Sequence, residues 1–312
     1  MLAFAVLEIT NRCNLKCQHC YGFFDRRDEI GDDNFHKVLN ELIDCKCKQL
    51  TLSGGEPFLL GEKVFRYAKA IKQAGLKALI VTNGTIIDPA YETYYSLFDT
   101  IQISIDGPCE IHEAIRGRNT YAKSMASVQY LKSIGANVSI QITITDLNQY
   151  HFFKIFDMAQ AMGIRLSVER ASLTGRAEAM AELDPDNYRK ILDCIVSNRL
   201  ATSDPLRNVA LYEKYHIDPP NDAIYGCSAG LGGIAITCNM DVFPCVRIRT
   251  SIGSLTNMKL KDIVNSTAYL SFGNRDNGRE PCSSCKYKYA CGGCQADKSD
   301  TRSSCVFYHS GT

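Results

Sequence analysis

The chain has 312 residues, of which 45% are hydrophobic, and its 35 basic and 34 acidic side chains leave a formal net charge of +1. This size and apolar content suit one large domain and a small one, and the balanced charge gives no sign of a nucleic-acid or acidic-membrane partner. No apolar run approaches the ~18 residues of a membrane span, and the opening MLAFAVLEIT lacks the layout of a signal peptide, so we expect a cytoplasmic protein.

Short apolar, β-branched runs alternate with helical patterns between Leu2 and Arg170. Strands are predicted at Ala3–Thr10, Gln49–Ser53, Ala78–Thr82, Thr100–Ile105, Asn137–Thr143 and Arg165–Glu169. Helices are predicted at Asp33–Cys45, Gly61–Ala74, Pro89–Phe98, Tyr121–Ile134 and Gln149–Met162, and several end at a glycine: Gly75, Gly135 and Gly163. Six such units predict an α/β fold with a parallel sheet that falls short of an eight-unit barrel.

The segment that follows the first strand, Thr10–Tyr21, reads TNRCNLKCQHCY. It spaces Cys13, Cys17 and Cys20 as CX3CX2C, and three thiolates on one loop can hold three corners of a cubane iron–sulfur cluster. The fourth iron would then be open to a small molecule. The alternative is a zinc knuckle, in which His19 would have to serve as the fourth ligand.

The second strand ends in Gly54, Gly55, Glu56 and Pro57. CX3CX2C after a first strand and GGEP after a second resembles the radical S-adenosylmethionine (radical SAM) family. The resemblance implies a partial (β/α)6 barrel and a [4Fe–4S] cluster on the three cysteines. It also implies that S-adenosylmethionine binds the open iron, with its amino group on the GGE edge, and is cleaved to a 5′-deoxyadenosyl radical. Glu56 would orient the ammonium or the loop.

Other strand ends supply further candidates, because ligands bind at the carboxyl ends of parallel strands. By the resemblance, Ser104 and Arg116 would contact the ribose or carboxylate of S-adenosylmethionine, and Arg170 would approach the nucleoside or substrate. A guanidinium fork matches a carboxylate, which favours a functional role for Arg116 over a solvated loop charge. For Arg170 the alternative is a salt-bridged residue at the rim. Asn83 is a further cofactor candidate or a plain turn residue. Asp106 is a catalytic candidate. Cys109 is a hydrogen-atom donor or an ordinary apolar cysteine, whereas Cys45, Cys47 and Cys194 are interpreted as ordinary apolar cysteines.

The C-terminal part is rich in cysteine, since eight of the 15 cysteines lie between Cys227 and Cys305. A reducing cytosol favours metal thiolates over disulfides. The pattern resembles the SPASM extension, which carries two auxiliary [4Fe–4S] clusters. By that resemblance one cluster is held by Cys227, Cys238, Cys245 and Cys294, and the other by Cys282, Cys285, Cys291 and Cys305.

Departures from the SPASM pattern affect mainly Cys238. Met240 stands where the family has glycine, and Cys238 lies further from Cys227 than expected, so an open site in the first auxiliary cluster is the alternative. Two zinc sites would use the same CxxC pairs. The predicted domains are a radical SAM core over 1–175, a helical connector with a helix at Pro185–Leu200 over 176–226, and the SPASM domain over 227–312.

The SPASM resemblance implies a peptide-modifying enzyme whose substrate is a ribosomally made precursor peptide. The expected changes are a thioether or carbon–carbon crosslink, a backbone excision or an epimerisation, with flavodoxin or ferredoxin as the electron donor. Sulfatase maturases carry an aspartate after the Pro-Cys cysteine, where this chain has Val246, which disfavours that alternative. Because the chain opens at the first strand, we expect a separate leader-binding partner. A non-catalytic iron–sulfur or zinc scaffold is the alternative from another class.

Overall fold

The computed structural model describes residues 2–22, 28–219, 224–276, 278, 280–296 and 305–307. Nine strands of this part form one sheet with the order β6-β5-β4-β3-β2-β1-β7-β8-β9. Neighbours from β6 to β7 pair in parallel, and β8 and β9 are antiparallel. The strands are β1 Phe4–Thr10, β2 Gln49–Gly54, β3 Lys77–Thr82, β4 Thr100–Ser104, β5 Val138–Ile144, β6 Arg165–Arg170, β7 Gly233–Thr237, β8 Asp241–Phe243 and β9 Gly253–Ser254.

Helices connect the strands of the first six units and continue into the C-terminal part. They are α1 Asp32–Asp44, α2 Glu62–Gln73, α3 Cys109–Arg116, α4 Tyr121–Ser133, α5 Phe152–Ala161, α6 Pro185–Ser197, α7 Leu206–Tyr215, α8 Leu260–Val264 and α9 Thr267–Leu270. Short 3₁₀ helices lie at Pro57–Leu60, Pro89–Leu97, Gln149–His151, Gly175–Ala179 and Ser271–Gly273. The described helices include none with the length and hydrophobicity needed to cross a membrane.

The predicted strands and most predicted helices are confirmed to within a few residues. Gly75, Gly135 and Gly163 end their helices with positive φ, as the sequence predicted. Three segments differ. A helix that was not predicted, α3, ends at Arg116, and the connector has a second helix, α7. The segment after Pro89 is a 3₁₀ helix with non-helical angles at Tyr91.

The core lies between the sheet and its helices. One face of the parallel strands is fully buried against the helices, and Leu7, Leu52 and Ile103 have no exposed surface. Many residues that alternate with them face the other side and are only partly buried, as in β3 and β6. Helix α1 buries Phe35, Val38, Leu39 and Leu42, which share one face at helical spacing. The ring of Phe35 stacks on Tyr67 of α2 with 3.8 Å between centroids, so these two helices pack side by side.

The cysteine-rich part continues the sheet of the barrel. Strand β7 pairs in parallel with β1, from Phe4 opposite Gly233 to Glu8 opposite Thr237. Without β7, strand β1 would present an unpaired edge. The predicted boundary at residue 227 therefore precedes a strand that completes the main sheet, and the two domains share one layer of β-structure.

The carboxyl ends of β1 to β6 meet at one edge of the sheet, because these strands are parallel neighbours. The segment that follows β1 carries the CX3CX2C cysteines, and β2 ends in the first glycine of GGEP. The ends of β4 and β6, at Ser104 and Arg170, lie at the same edge. The fold thus gathers most of the predicted site residues in one place.

Candidate active site

The loop after β1 holds Cys13, Cys17 and Cys20 close together. Cys17 is buried and the other two are partly buried. The backbone N–H of Leu15 donates to Cys13 Sγ (3.4 Å), and Nη1 of Arg116 lies 3.9 Å from Cys17 Sγ. Burial raises the pKa of Cys13 to about 12, with smaller contributions from Glu56, Cys17 and Cys20. A cationic group bound at the loop would offset this cost of ionising the thiols.

The donor set of the loop, three cysteine thiols, suits an iron–sulfur cluster. Within the described ranges, no three Cys, His, Asp or Glu side chains converge closely enough to hold a single metal ion. A [4Fe–4S] cluster instead distributes its thiolates over separate irons, so its ligands need not meet at one point.

The GGEP segment is packed directly against the cysteine loop. The N–H of Gly55 donates to the carbonyl of Thr10, and the N–H of Glu56 donates to the carbonyl of Arg12, both at 2.8 Å. A Cβ on Gly55 would lie 2.0 Å from the Arg12 oxygen, and one on Gly54 would lie 2.3 Å from the Thr10 oxygen. The glycines are therefore required by the close approach of two backbone segments.

Glu56 is fully buried and its carboxylate is used inside the protein. Oε1 accepts hydrogen bonds from Phe58 N (3.1 Å) and Thr82 Oγ1 (2.8 Å), and Oε2 accepts one from Asn83 N (2.8 Å). Burial raises the pKa of Glu56 despite these bonds. Of the two roles expected for Glu56, these contacts favour orienting the loop. Pro57 begins the 3₁₀ helix that Glu56 caps.

Asn83 connects the end of β3 to the cysteine loop. Its Nδ2 donates to Asn14 Oδ1 (2.9 Å), and its Oδ1 accepts from the N–H and hydroxyl of Thr85. Asn14 lies between Cys13 and Cys17 and also donates to Thr85 Oγ1 (2.8 Å). The side chain that was predicted to bind the cofactor thus contacts the loop that carries the cysteines.

His19 of the cysteine loop forms a connected group of polar side chains with Asp106 and Arg116. Oδ2 of Asp106 lies 2.7 Å from Nε2 of His19 and 2.5 Å from Nε of Arg116, and Oδ1 accepts from Thr143 N at 3.0 Å. Burial opposes the charge of Asp106, but Arg116 and His19 outweigh it and hold the pKa of this carboxyl well below its usual value. The carboxylate is fully buried and both of its oxygens are bonded, which favours a role in positioning its neighbours.

Arg116 was expected to bind the carboxylate of S-adenosylmethionine, but it is already paired with Asp106 and faces Cys17. His19 was considered only as a zinc ligand, and sequence reasoning missed its position in this group. Its side chain is 7% exposed, and among the described atoms Nδ1 has no hydrogen-bond partner. Its place inside CX3CX2C was the one signal available. Ser104 ends β4 and is also buried.

Two other candidates have different surroundings. Arg170 is paired with the buried Asp204, with 2.8 Å between Nε and Oδ2, and Tyr188 donates to the same carboxylate oxygen (2.6 Å). Its salt-bridged alternative therefore has direct support. Cys109 is the first residue of α3 and is exposed.

A second ion pair, missed from the sequence, joins β1 to the C-terminal part. Arg249 donates to both carboxylate oxygens of Glu8, at 3.1 and 2.7 Å, and Tyr21 donates to Glu8 Oε1 at 3.3 Å. The Arg249 guanidinium also lies 5.1 Å from the ring centroid of Tyr21. Because Tyr21 follows Cys20 directly, the Arg249–Glu8 ion pair fixes the end of the cysteine loop to the C-terminal part.

The cysteines of the C-terminal part separate into two groups. Cys227, Cys245 and Cys294 pack around Ala229, Ile248 and Ala296, and burial followed by the Cys294 and Cys245 thiolates raises the pKa of Cys227. In the other group, burial followed by Cys305 and Cys285 raises the pKa of Cys282 to about 11. Cys291 joins this group, since Cys305 and Cys282 contribute to its raised pKa after burial and Asp204.

Cys238 does not belong to the first group. It is 4% exposed within the main apolar core, in the turn between β7 and β8. Burial raises its pKa to about 11, and the next contributions come from Asp28 and Glu8. Cys238 thus packs apart from Cys227, Cys245 and Cys294, which favours the alternative of an open site in the first auxiliary cluster.

Two family models match the chain. Residues 7–159 match the radical SAM superfamily, and residues 227–286 match the iron–sulfur cluster-binding SPASM domain. An AdoMet-dependent heme synthase from Nitratidesulfovibrio vulgaris is 27% identical over 93% of this chain and 86% of its own length. The mycofactocin maturase MftC of Mycobacterium tuberculosis is 27% identical over 93% of this chain and 78% of its own.

Solved structures share the fold. Streptococcus suis SuiB bound to the precursor peptide SuiA superposes with a TM-score of 0.75 at 19% identity, covering 95% of this chain and 72% of SuiB. This likeness extends over both the barrel and the cysteine-rich part.

Proposed function

The chain belongs to the radical SAM superfamily and carries a C-terminal SPASM domain, and from this premise we propose that it modifies a ribosomally made precursor peptide. The radical SAM domain binds S-adenosylmethionine and a [4Fe–4S] cluster, and the SPASM domain binds auxiliary iron–sulfur clusters. When bound, these groups supply a radical able to remove hydrogen from an unactivated carbon. The residues of this chain hold, orient and shield that chemistry.

The cysteine loop is held in place by hydrogen bonds from residues that follow strands β2, β3 and β4. Gly55 and Glu56 bond its backbone, Asn83 bonds Asn14 between the first two cysteines, and Asp106 fixes His19 before the third. Such preorganisation keeps reacting groups at a fixed separation, which is a large part of what an enzyme contributes to a reaction. The buried carboxylates of Glu56 and Asp106 therefore act through the loop.

The observation that carries the proposal is the position of Cys227, Cys245 and Cys294 relative to the barrel edge. Ser172, two residues after β6 ends, has its hydroxyl 4.0 Å from Cys294 Sγ. The auxiliary thiolates therefore lie beside the same sheet edge as the Cys13 loop. A substrate bound at this edge would lie on the side of the sheet where both sets of cysteines are found, which suits net oxidation such as crosslinking. The maturase among the relatives, matched over 93% of this chain, supports a peptide as that substrate.

A tetrapyrrole is the second candidate substrate, because a heme synthase is as similar to this chain as the maturase is. The two are separated by incubating the reconstituted protein with S-adenosylmethionine and reductant, together with either the peptide encoded beside its gene or iron coproporphyrin III. Mass spectrometry then decides. A loss of two hydrogens from the peptide indicates crosslinking, a larger loss excision, and an unchanged mass with inverted residues epimerisation. A changed tetrapyrrole and unchanged peptide would contradict the proposal.

The same incubation tests catalysis itself. Formation of 5′-deoxyadenosine that depends on Cys13, Cys17 and Cys20 distinguishes an enzyme from an iron–sulfur scaffold. Flavodoxin or ferredoxin is proposed as the electron donor, and replacing chemical reductant with each protein in turn tests that. A pull-down of the precursor with this chain alone shows whether a separate leader-binding protein takes part.

A further inference from the structure

Arg247 occupies a fixed position between the auxiliary cysteines and the end of β6. It lies in the turn after Cys245, which closes when Ile248 N donates to Cys245 O at 3.1 Å. From there its side chain reaches back to β6, where Nη1 donates to the carbonyl oxygen of Arg170 at 3.2 Å. Only 19% of the side chain is exposed.

The guanidinium is anchored by further contacts. Nη1 donates to Ser172 Oγ (3.3 Å), and Nη2 donates to Ser203 Oγ (2.7 Å). The Ser172 hydroxyl is in turn 4.0 Å from Cys294 Sγ. Arg247 is therefore near two of the three auxiliary cysteines. Only Val246 separates it from Cys245 along the chain, and the Ser172 side chain lies between it and Cys294.

Glu169 is the counter-charge of Arg247. Its Oε2 lies 3.5 Å from Nη2, and the carboxylate also accepts bonds from the N–H and hydroxyl of Ser203. Burial works against the charge of Arg247, yet the thiolates of Cys294 and Cys245, followed by Glu169, raise its pKa. The guanidinium thus pairs with the Glu169 carboxylate and also bonds Ser172, whose hydroxyl lies beside Cys294 Sγ.

We propose that Arg247 sets the reduction potential of the auxiliary cluster held by Cys227, Cys245 and Cys294, and that Glu169 moderates its effect. Reduction adds negative charge to a cluster, and a fixed, poorly hydrated cation beside it favours the reduced state. A carboxylate paired to that cation weakens the effect. Arg247 thus influences how readily the auxiliary cluster accepts an electron, and it does so from a fixed position at the end of β6. The inference requires the auxiliary cluster but not any particular substrate.

The test is a potentiometric titration followed by electron paramagnetic resonance. The full-length chain carries Cys13→Ala, Cys17→Ala and Cys20→Ala, so that only auxiliary clusters contribute, and the signal of interest is the one that Cys245→Ala removes. At pH 8, Arg247→Met is expected to lower the potential and to reduce the ratio of reduced to oxidised cluster about tenfold at fixed potential, which is about 59 mV for one electron. Glu169→Gln is expected to raise the potential.

Shifts of the reduction potential in opposite directions in Arg247→Met and Glu169→Gln separate an electrostatic role from a structural one. Loosening of the site would shift the potential in the same direction in both variants. Arg165→Met is the matched control. Arg165 begins β6, at the opposite end of the strand from Glu169, and donates to Asn137 Oδ1. The cluster potential in this variant should equal the parent's. Equal potentials for parent and Arg247→Met, or shifts of the same sign for Arg247→Met and Glu169→Gln, would overturn the proposal. If Arg247→Met binds no auxiliary iron, Glu169→Gln decides alone: a positive shift supports it, and any other result refutes it.

Discussion

The carboxylate of Asp106 binds the guanidinium of Arg116 beneath the cysteine loop, with 2.5 Å between Oδ2 and Nε and no exposed surface on Asp106. The pair joins the segment after β4 to the end of α3, and Arg116 then reaches Cys17. The loop is consequently coupled to the barrel by a buried charge pair as well as by backbone bonds.

Asp106→Asn should strongly destabilise the protein, because it leaves Arg116 buried without its counter-charge. Removing one partner of a buried pair typically costs about 3–5 kcal/mol. Chemical denaturation of the reconstituted protein measures this. Asp193→Asn is the control, since Asp193 pairs with Lys214 at an exposed position and should cost at most about 1 kcal/mol. Similar losses in the two variants would show that the Asp106 pair is not special.

Gly55→Ala should disrupt the first cluster. The added Cβ would meet Arg12 O at 2.0 Å and Cys13 N at 3.0 Å, so the cysteine loop must move away from GGEP. Displacement by about 1 Å can cost about 100-fold in rate, and we expect 5′-deoxyadenosine formation to fall by that order. Gly31→Ala serves for comparison, because nothing lies within 4 Å of its Cβ position. Normal activity in Gly55→Ala would contradict the packing argument.

Cys238→Ala should retain the iron content of the parent, because this cysteine is buried in the main core away from Cys227, Cys245 and Cys294. Cys245→Ala should lose up to about four irons, the content of one cubane cluster. Iron and sulfide analysis of both variants after anaerobic reconstitution checks this. A loss of one cluster in Cys238→Ala would show instead that the sequence-based set of four was right.

His112 should make stability depend on pH. It is fully buried, its Nδ1 accepts a hydrogen bond from Asp106 N at 3.2 Å, and burial followed by Arg116 lowers its pKa from 6.5 to about 4. The folded state therefore favours neutral His112, and its contribution is complete above pH 6.5 and is lost as the pH falls towards 4. The whole shift corresponds to roughly 3 kcal/mol.

Denaturation of the parent and His112→Asn at matched pH values measures this dependence. Asparagine retains an acceptor for Asp106 N but does not titrate, so the parent's free energy of unfolding should decline more steeply between pH 6.5 and 4. Acid loss of iron affects both proteins and cancels in the difference. Parallel pH profiles would exclude His112 as the source.

The sequence by itself determined the barrel strands, their helices and the two motifs at the sheet edge. Hydrophobic periodicity and glycine caps are local, and CX3CX2C and GGEP directly follow strands, so their positions follow once the sheet is parallel. The first six strands and the glycine-ended helices were accordingly located to within a few residues. Periodicity missed α3 and α7, which have only 8 and 10 residues and therefore give short repeating patterns.

Only the tertiary structure decided what the charged and sulfur-bearing residues contact. Arg249 and Glu8 are 241 positions apart, and nothing in their spacing indicates that they pair. The pairing of Arg116 with Asp106 and the packing of Cys238 in the main core were likewise visible only in the tertiary structure. Such contacts depend on sheet register and helix packing between distant segments, and local sequence carries little information about either.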